Sequence, residues 1–516
     1  MNKFYLTTPI YYVNASPHIG HAYTSIIADS MSRYRRMKGD KVFYLTGTDE
    51  HGEKIKQAAT SINSEVKAFV DQGAEVFKSL WSKLNISYDF FIRTTDDFHI
   101  KVVQEVITTL DKKGDIYKDK YKAFYCVPCE SFWTGSQAKE AGGCPECRRP
   151  VEEIEEENYF FKLSKYEQWL KDHLRANPSF IRPQIRYNEV IGFLNNHPLA
   201  DLCISRPKSR VSWGIDFPLD NNYVIYVWFD ALINYISGVG CYWDSGKFKQ
   251  LWPADIHFIG KDILRHHAIF WPIMLKAAGI EPPKMVFAHG WWQKDEEKIS
   301  KSRGNIVNPW ELLSALSESL GNNQAVAVDA LRYFLLREVP VGSDGSFSWP
   351  ALVSRINSDL ANDLGNLVFR TLNMAEQYLK GEVSGVSSAP FEFNPCLENL
   401  GKKYSLHLDK VEFSLAMEEI FAFIRVINKY IEDTKPWVLF KQKKVDEIKK
   451  FLYQLCEGIR IIAVYVYPVM PKVSESIYRQ LGVKFDSPHL DNTAWGRVRS
   501  FSISKEPPLF PRINVD

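Results

Sequence analysis

Residues 17–21 read PHIGH, and the chain on either side dictates where that pentapeptide sits. Residues 3–12 (KFYLTTPIYY) are aromatic and apolar and predict a buried strand. Asn14, Ala15 and Ser16 break the run. Ser16 is placed to cap a helix and Pro17 suits its first turn, so His18, Ile19, Gly20 and His21 should open a helix that continues to about Met37. Strand, turn and helix N-terminus together make an anion site, because unpaired backbone amides and the helix dipole both favour phosphate. Gly20 lets a flat base approach the backbone, and His18 and His21 can donate to phosphate oxygens. The tetrapeptide alone more readily fits two surface histidines beside a turn.

A second stretch changes that balance. Residues 298–302 read KISKS and are followed by Arg303, Gly304 and Asn305. Two lysines on a glycine-flanked loop form a cationic clamp, although a solvated charge run has the same look. Together the two stretches resemble the HIGH and KMSKS signatures of class I aminoacyl-tRNA synthetases, with Ile299 where the second signature carries methionine.

The chain has 516 residues, 45% of them hydrophobic and 14% aromatic, enough to bury a large core divided over about three domains. Sixty-four basic residues against 62 acidic leave a net charge of only +2, so any RNA contact must use local patches and not a global polycation. No stretch reaches the roughly 18 uninterrupted apolar residues of a membrane span. Met1, Asn2 and Lys3 lead directly into a strand, so we expect a cytoplasmic protein without a signal or transit peptide. Of the eight cysteines four are scattered (Cys203, Cys241, Cys396, Cys456), which does not make a secreted disulfide framework.

The other four are clustered. Cys126 and Cys129 form one CxxC, Cys144 and Cys147 another, with 14 residues between the pairs, each shaped by prolines or glycines. Four thiolates at this spacing suit tetrahedral zinc in a closed, structural site, with a redox pair or coincidental thiols as the alternatives. The acidic run at residues 152–157 reads as a solvated edge.

Around this insertion the pattern is that of a parallel doubly wound sheet. Residues 41–46 (KVFYLT) predict a strand that ends in GTDEHG, and helical patterns follow at about 64–84 and 98–113. The sheet pattern resumes at 223–227 (YVIYV) and continues at 255–259 and 284–288, with helices predicted over 229–235 and 262–271. Ligands in such sheets bind at the carboxyl ends of strands, where His18, His21 and Asp49 would lie. From about Trp349 long amphipathic patterns over 351–379, 403–433, 445–466 and 471–481 predict a helical bundle, with a surface loop at 380–394. The expected fold is therefore α/β, a Rossmann-type sheet in two halves (1–114 and 223–348) interrupted by a zinc-knuckle insertion (115–222) and followed by an all-α domain (349–516).

Over essentially its whole length the chain resembles the bacterial methionyl-tRNA synthetases, in the strings TTPIYYVN, PHIGH, YLTGTDEHG, the paired CxxC knuckles, YVWFDALINY, FIGKDILRHHAIFWP, HGWW, KISKSRGN and KPW. The resemblance implies attack of methionine on the α-phosphate of ATP, giving methionyl-adenylate, then transfer to the 3′ adenosine of initiator and elongator tRNA(Met). It implies that His18, Gly20 and His21, with Lys298, Ile299, Ser300, Lys301 and Ser302, hold ATP and Mg²⁺, the histidines and lysines being catalytic. Matching methionine-site positions are Pro9, Ile10, Tyr12, Asp49, Trp228, Ala231, Leu232, Tyr235, Ile263, His267 and Trp271. Asp49 can hold the α-ammonium, and aromatic rings suit a polarizable thioether, although the same aromatics would serve ordinary core packing. Leu232 stands where some members carry proline and keeps an apolar wall.

Asn366 and Arg370, four apart on one helical face, and Trp437 after Pro436 match the family's anticodon readers. A capped helix and a core tryptophan are the plainer reading of the same residues. An exposed ring beside amide and guanidinium donors is how single-stranded bases are commonly read. Nothing after the bundle resembles the dimerising oligonucleotide-binding domain of some relatives, so a monomer is expected. The rivals are a synthetase for cysteine, leucine, isoleucine or valine, a catalytically idle RNA-binding paralogue, and a small-molecule adenylyltransferase. No large editing insertion is present, the key side chains are intact, and an adenylyltransferase has no need of the bundle.

Overall fold

The computed structural model describes residues 2–126, 131–133, 135–145, 147–294, 297–298, 307–385, 393–486 and 488–514. In chain order its first strands are β1 (Lys3–Tyr12), β2 (Lys41–Asp49) and β3 (Phe90–Arg93), followed by β4 (Ile116–Cys126), β5 (Ser131–Trp133) and β6 (Glu152–Phe161). Then come β7 (Ile181–Arg182), β8 (Leu202–Cys203), β9 (Ser205–Pro207), β10 (Tyr223–Ile225), β11 (Ile256–Gly260) and β12 (Val286–His289). The main sheet has the order β3-β2-β1-β11-β12-β7 and every pairing in it is parallel. The chain winds outward from β1 to β3, then returns to build β11 and β12 on the other side of β1. That reversal makes a topological switch point at the carboxyl end of β1, where open α/β sheets bind ligands.

Alternation along β1 feeds two cores. Phe4 and Leu6 pack with the buried face of the helix Ile19–Met37, whereas Tyr5 packs on the opposite face of the sheet among Leu45, Ile92 and the helix Asp97–Lys112. Pro9 has no amide hydrogen to give to the ladder, and the β1–β2 register shifts between Thr7 and Ile10. Past that irregularity Tyr12 stands opposite Asp49.

Several local expectations differ from the structure. Residues 223–225 do not rejoin the main sheet: β10 pairs antiparallel with β9 as a ribbon, and Val227 already begins the helix Val227–Ser237. The helix expected over 262–271 is instead a short turn at Lys261–Ile263, a π-helical stretch His266–Phe270 and an α-helix Trp271–Ala278. Pro272 explains the widening, since it cannot donate to a carbonyl in the preceding turn and its ring crowds that carbonyl. The pattern at 403–433 is two helices, Asn394–Asp409 and Phe413–Thr434, separated where Val411 takes a positive φ of 65°. Within 380–394 the residues Glu382–Ser384 form a strand paired with Ser500–Ser502, while 386–392 lie outside the described residues.

The inserted stretch forms an antiparallel sheet in the order β5-β4-β6-β8, and its β7 supplies the outer strand of the main sheet. The acidic run lies on β6, hydrogen-bonded to β4 on one side, with Arg210 reaching Glu156 at 3.0 Å and Glu152 at 3.3 Å. The bundle is built on Asn366–Leu379, Phe413–Thr434, Val445–Val466 and Pro471–Gln480. Among the described residues no helix is long and apolar enough to cross a membrane.

Candidate active site and nucleic-acid face

The turn at 17–21 lies where the sequence places it, but its cap differs. His18, not Ser16, is the N-cap: its Nδ1 accepts from the Gly20 amide at 3.1 Å, and His21 Nδ1 accepts from the His18 amide at 3.2 Å. The imidazoles reach amides that Ser16, two residues further back, does not, and they stack at 3.8 Å between centroids. Both Nδ1 atoms are acceptors, so in the neutral rings the proton sits on Nε2, making each histidine a donor. A Cβ at residue 20 would come within 2.9 Å of the His18 ring, which gives Gly20 a steric reason independent of any ligand.

Both ends of the lysine-bearing segment are tied to this helix. Just after it, the Val307 carbonyl accepts from the Ile19 amide at 3.2 Å. Just before it, His289 at the end of β12 donates through Nδ1 to the Gly290 carbonyl and accepts through Nε2 from Thr24 Oγ1 at 2.7 Å. Lys298 ends the strand Glu297–Lys298, which pairs with Trp292–Lys294. Ile299, Ser300, Lys301 and Ser302 lie outside the described residues.

Of the aromatic positions, Tyr235, His267 and Trp271 form a connected set. His267 Nδ1 donates to the Ile263 carbonyl at 2.9 Å, so its Nε2 accepts from the Tyr235 hydroxyl at 2.7 Å. Burial pushes the His267 pKa down to about 4, so this imidazole is neutral at neutral pH. Trp271 is fully buried with its ring 5.7 Å from Tyr235, and Ala231 and Leu232 are buried on the same helix as Tyr235. Trp228 stacks on His266 at 3.9 Å, and its Nε1 is buried with no hydrogen-bond partner among the described residues. Asp49 is buried at the end of β2 opposite Tyr12, whose ring carries the Lys54 ammonium 5.4 Å from its centroid. Pro9 and Ile10 are half-buried at the register shift in β1.

Two buried polar residues behind this set went unread in the sequence. His257 accepts through Nε2 from Trp271 Nε1 at 3.2 Å, which leaves Nδ1 to donate to Thr7 Oγ1 at 2.8 Å, and its ring lies 4.2 Å from Tyr235. Asp230 is held between His51 Nδ1 and His99 Nε2, each at 2.7 Å. Burial alone would raise its carboxyl, but His51 and His99 outweigh burial and hold Asp230 below the usual range. A histidine on β11 and an aspartate inside a helix carry no local signal of these partners.

In the insertion the sulfurs of Cys126, Cys144 and Cys147 lie within 4.8 Å of one another, with Cys126 and Cys147 3.5 Å apart. A tetrahedral ion with sulfur ligands at about 2.3 Å places them about 3.8 Å apart, so the donor set fits a metal of that kind. Gly143 (φ 147°) makes the turn possible: a Cβ there would come within 2.6 Å of the Arg149 carbonyl, which itself accepts from the Cys144 amide at 2.8 Å. Cys129 lies outside the described residues.

On the bundle, Asn366 is exposed and Arg370 pairs with Glu432 at 2.7 Å. Glu432 lies near the end of Phe413–Thr434, three residues before Lys435 and the short helix Pro436–Lys441. Trp437 on that helix is 41% exposed and is not a core residue.

A family model for class I tRNA synthetases (M) matches residues 4–153 and 149–372, and one for the anticodon-binding domain of tRNA ligases matches 395–505. The chain is 46% identical to the methionine--tRNA ligase of Caldanaerobacter subterraneus, over 99% of this chain and 79% of that one. It is 45% identical to that of Clostridium tetani, over 100% and 80%. It superposes with a TM-score of 0.91 and 41% identity on Mycobacterium tuberculosis methionyl-tRNA synthetase in complex with methionyl-adenylate, covering 99% of this chain and 100% of the other.

Proposed function

Because the chain belongs to the class I methionyl-tRNA synthetases, it activates methionine with ATP and charges tRNA, and we propose that the residues around the PHIGH turn perform that chemistry. The observation that carries the assignment is the bond between the Ile19 amide and the Val307 carbonyl, which brings the end of the lysine-bearing segment to the helix N-terminus. The methionine carboxylate attacks the α-phosphorus in line, and the bond to the bridging oxygen breaks with departure of pyrophosphate. His18 and His21 donate through Nε2 to phosphate oxygens, and Lys298 and Lys301 stabilise the charge that moves onto the leaving group. Mg²⁺ bound with ATP would supply further neutralisation of phosphate charge. In the second step the terminal adenosine hydroxyl of initiator or elongator tRNA attacks the activated carbonyl, and AMP leaves.

For the amino acid, Asp49 takes the α-ammonium while Tyr12, Trp228, Tyr235 and Trp271, with Pro9, Ile10, Ala231, Leu232, Ile263 and His267, enclose the thioether. A neutral His267 suits this role, since a charged imidazole would oppose an apolar side chain. Zn²⁺ is the ion we assign to Cys126, Cys129, Cys144 and Cys147, as a structural tie without a step in the reaction. Asn366, Arg370 and Trp437 read the anticodon, supported by the exposure of Trp437 and by the Glu432 carboxylate that orients Arg370. We assign this activity to the cytoplasm.

The test is amino-acid-dependent exchange of pyrophosphate into ATP, run with each amino acid separately. Methionine alone should support rapid exchange. Equal exchange with leucine or cysteine would overturn the pocket assignment.

A further inference from the structure

Three residues beyond Trp437, the same six-residue helix exposes a second ring. Phe440 is 42% exposed, and one face of it is stacked on Tyr378 of the helix Asn366–Leu379 at 4.4 Å between centroids and 20° between planes. Burial raises the Tyr378 pKa, so its phenol is neutral and the pair is an uncharged two-ring stack. Residues 437 and 440 share a helical face, with Cβ atoms about 5–6 Å apart. Successive nucleotides of one strand rise about 3.4 Å when stacked, so a slightly opened strand can reach both rings.

The surroundings suit a polyanion with flat bases. Lys435, Lys441, Lys443 and Lys444 are exposed, and no carboxylate occurs between 435 and 444. Lys444 is engaged by Glu447 at 3.0 Å, whereas Lys435, Lys441 and Lys443 form no ion pair among the described residues. Of the two exposed carboxylates before this run, Glu432 is paired with Arg370 at 2.7 Å and Asp433 lies four residues before Trp437.

We propose that the Phe440–Tyr378 stack is a second base platform, which takes the anticodon-loop nucleotide next to the one on Trp437, with Lys441 and Lys443 on its phosphates. The inference rests on the anticodon reading of Trp437 and extends it to a residue that no motif includes. Stacking there is sequence-tolerant, because every base offers a π-face.

The experiment measures binding of an anticodon stem-loop RNA bearing CAU by fluorescence anisotropy, using the full chain. Phe440→Leu should weaken binding roughly 5- to 100-fold, and Phe440→Trp should restore it. The loss should be the same whichever base stands next to the one on Trp437, whereas Trp437→Leu should lose the preference for CAU. Lys441→Ala with Lys443→Ala should lower the log–log salt slope by about 1.4, a readout that does not depend on Phe440 variants remaining folded. Parental affinity in Phe440→Leu beside a weakened Trp437→Leu overturns the platform and leaves the anticodon reading standing. Parental affinity in both overturns both. An unchanged salt slope, or a Phe440→Leu chain that alters only self-association in sedimentation, also overturns the platform.

Discussion

Arg332 donates to Asp29 at 2.6 Å with both side chains fully buried, joining the helix Gln324–Arg337 to the helix that begins at the PHIGH turn. Arg332 also donates to the carbonyls of Leu84, Pro468 and Val469, and Asp29 accepts from Arg33 at 2.8 Å and from Ser87. One guanidinium thus ties the first crossover helix, the end of the helix Val66–Lys83 and the turn at Pro468–Val469 into one arrangement. Burial alone would raise the Asp29 carboxyl, but Arg33 and Arg332 together outweigh burial and bring it to about 2.

Arg332→Met should therefore destabilise the protein by about 3–5 kcal/mol, because it leaves a buried carboxylate short of a partner and three carbonyls without a donor. Denaturant unfolding monitored by tryptophan fluorescence measures it. A loss under about 1 kcal/mol would show that water replaces the guanidinium, contrary to the burial seen.

Asp329, one turn before Arg332, behaves oppositely with pH. It is fully buried, accepts from the Val473 amide at 2.7 Å, and has no partner for Oδ1 among the described residues. Burial pushes its carboxyl up to about 7. A raised acid keeps its proton in the native state where the unfolded chain has lost it, so its contribution to stability falls as pH rises from about 4 to 7. Asp329→Asn should flatten the stability profile across that window. A profile with the same slope as the parent would mean that Asp329 is ionised when folded.

His21→Ala should lower the rate of adenylate formation by roughly 10² or more, since it removes the donor proposed to meet developing phosphate charge. Methionine affinity should change little, because the site proposed for the thioether does not include His21. Single-turnover adenylate formation and equilibrium methionine binding separate the two effects. Equal losses in both would reassign His21 to holding the helix N-terminus.

Cys144→Ala should release the metal and loosen the insertion without changing the residues around the PHIGH turn. Metal analysis of freshly purified, unoxidised protein should find one zinc per chain in the parent and none in the variant. Absence of zinc from the parent would leave the cysteine cluster without its assigned ion.

Some of this was legible residue by residue. The apolar run at 3–12, the break after it and the helix at 19–37 follow from side-chain periodicity and turn chemistry. The paired CxxC spacing likewise predicts the meeting of Cys126, Cys144 and Cys147. These are local properties, settled by a backbone that must satisfy its own hydrogen bonds and bury every second or fourth residue.

Other features depend on which distant segment arrives alongside. The apolar residues of β10 suit a main-sheet strand equally well, and only the presence of β9 next to it decides the ribbon. The same holds for β7, two residues long, which becomes a sheet strand because β12 offers it an open edge. Ser16 and His18 can both cap a helix, and the choice falls to the histidine because its ring reaches the Gly20 amide while its neighbour His21 reaches back to it. The links from Asp29 to Arg332 and from Asp230 to His51 and His99 span 303, 179 and 131 residues. By itself the sequence determined the elements and the residue types that meet a phosphate, a thioether or a metal. Tertiary structure alone decided which buried charges are paired, because a charge leaves water only where packing brings its partner within hydrogen-bond reach.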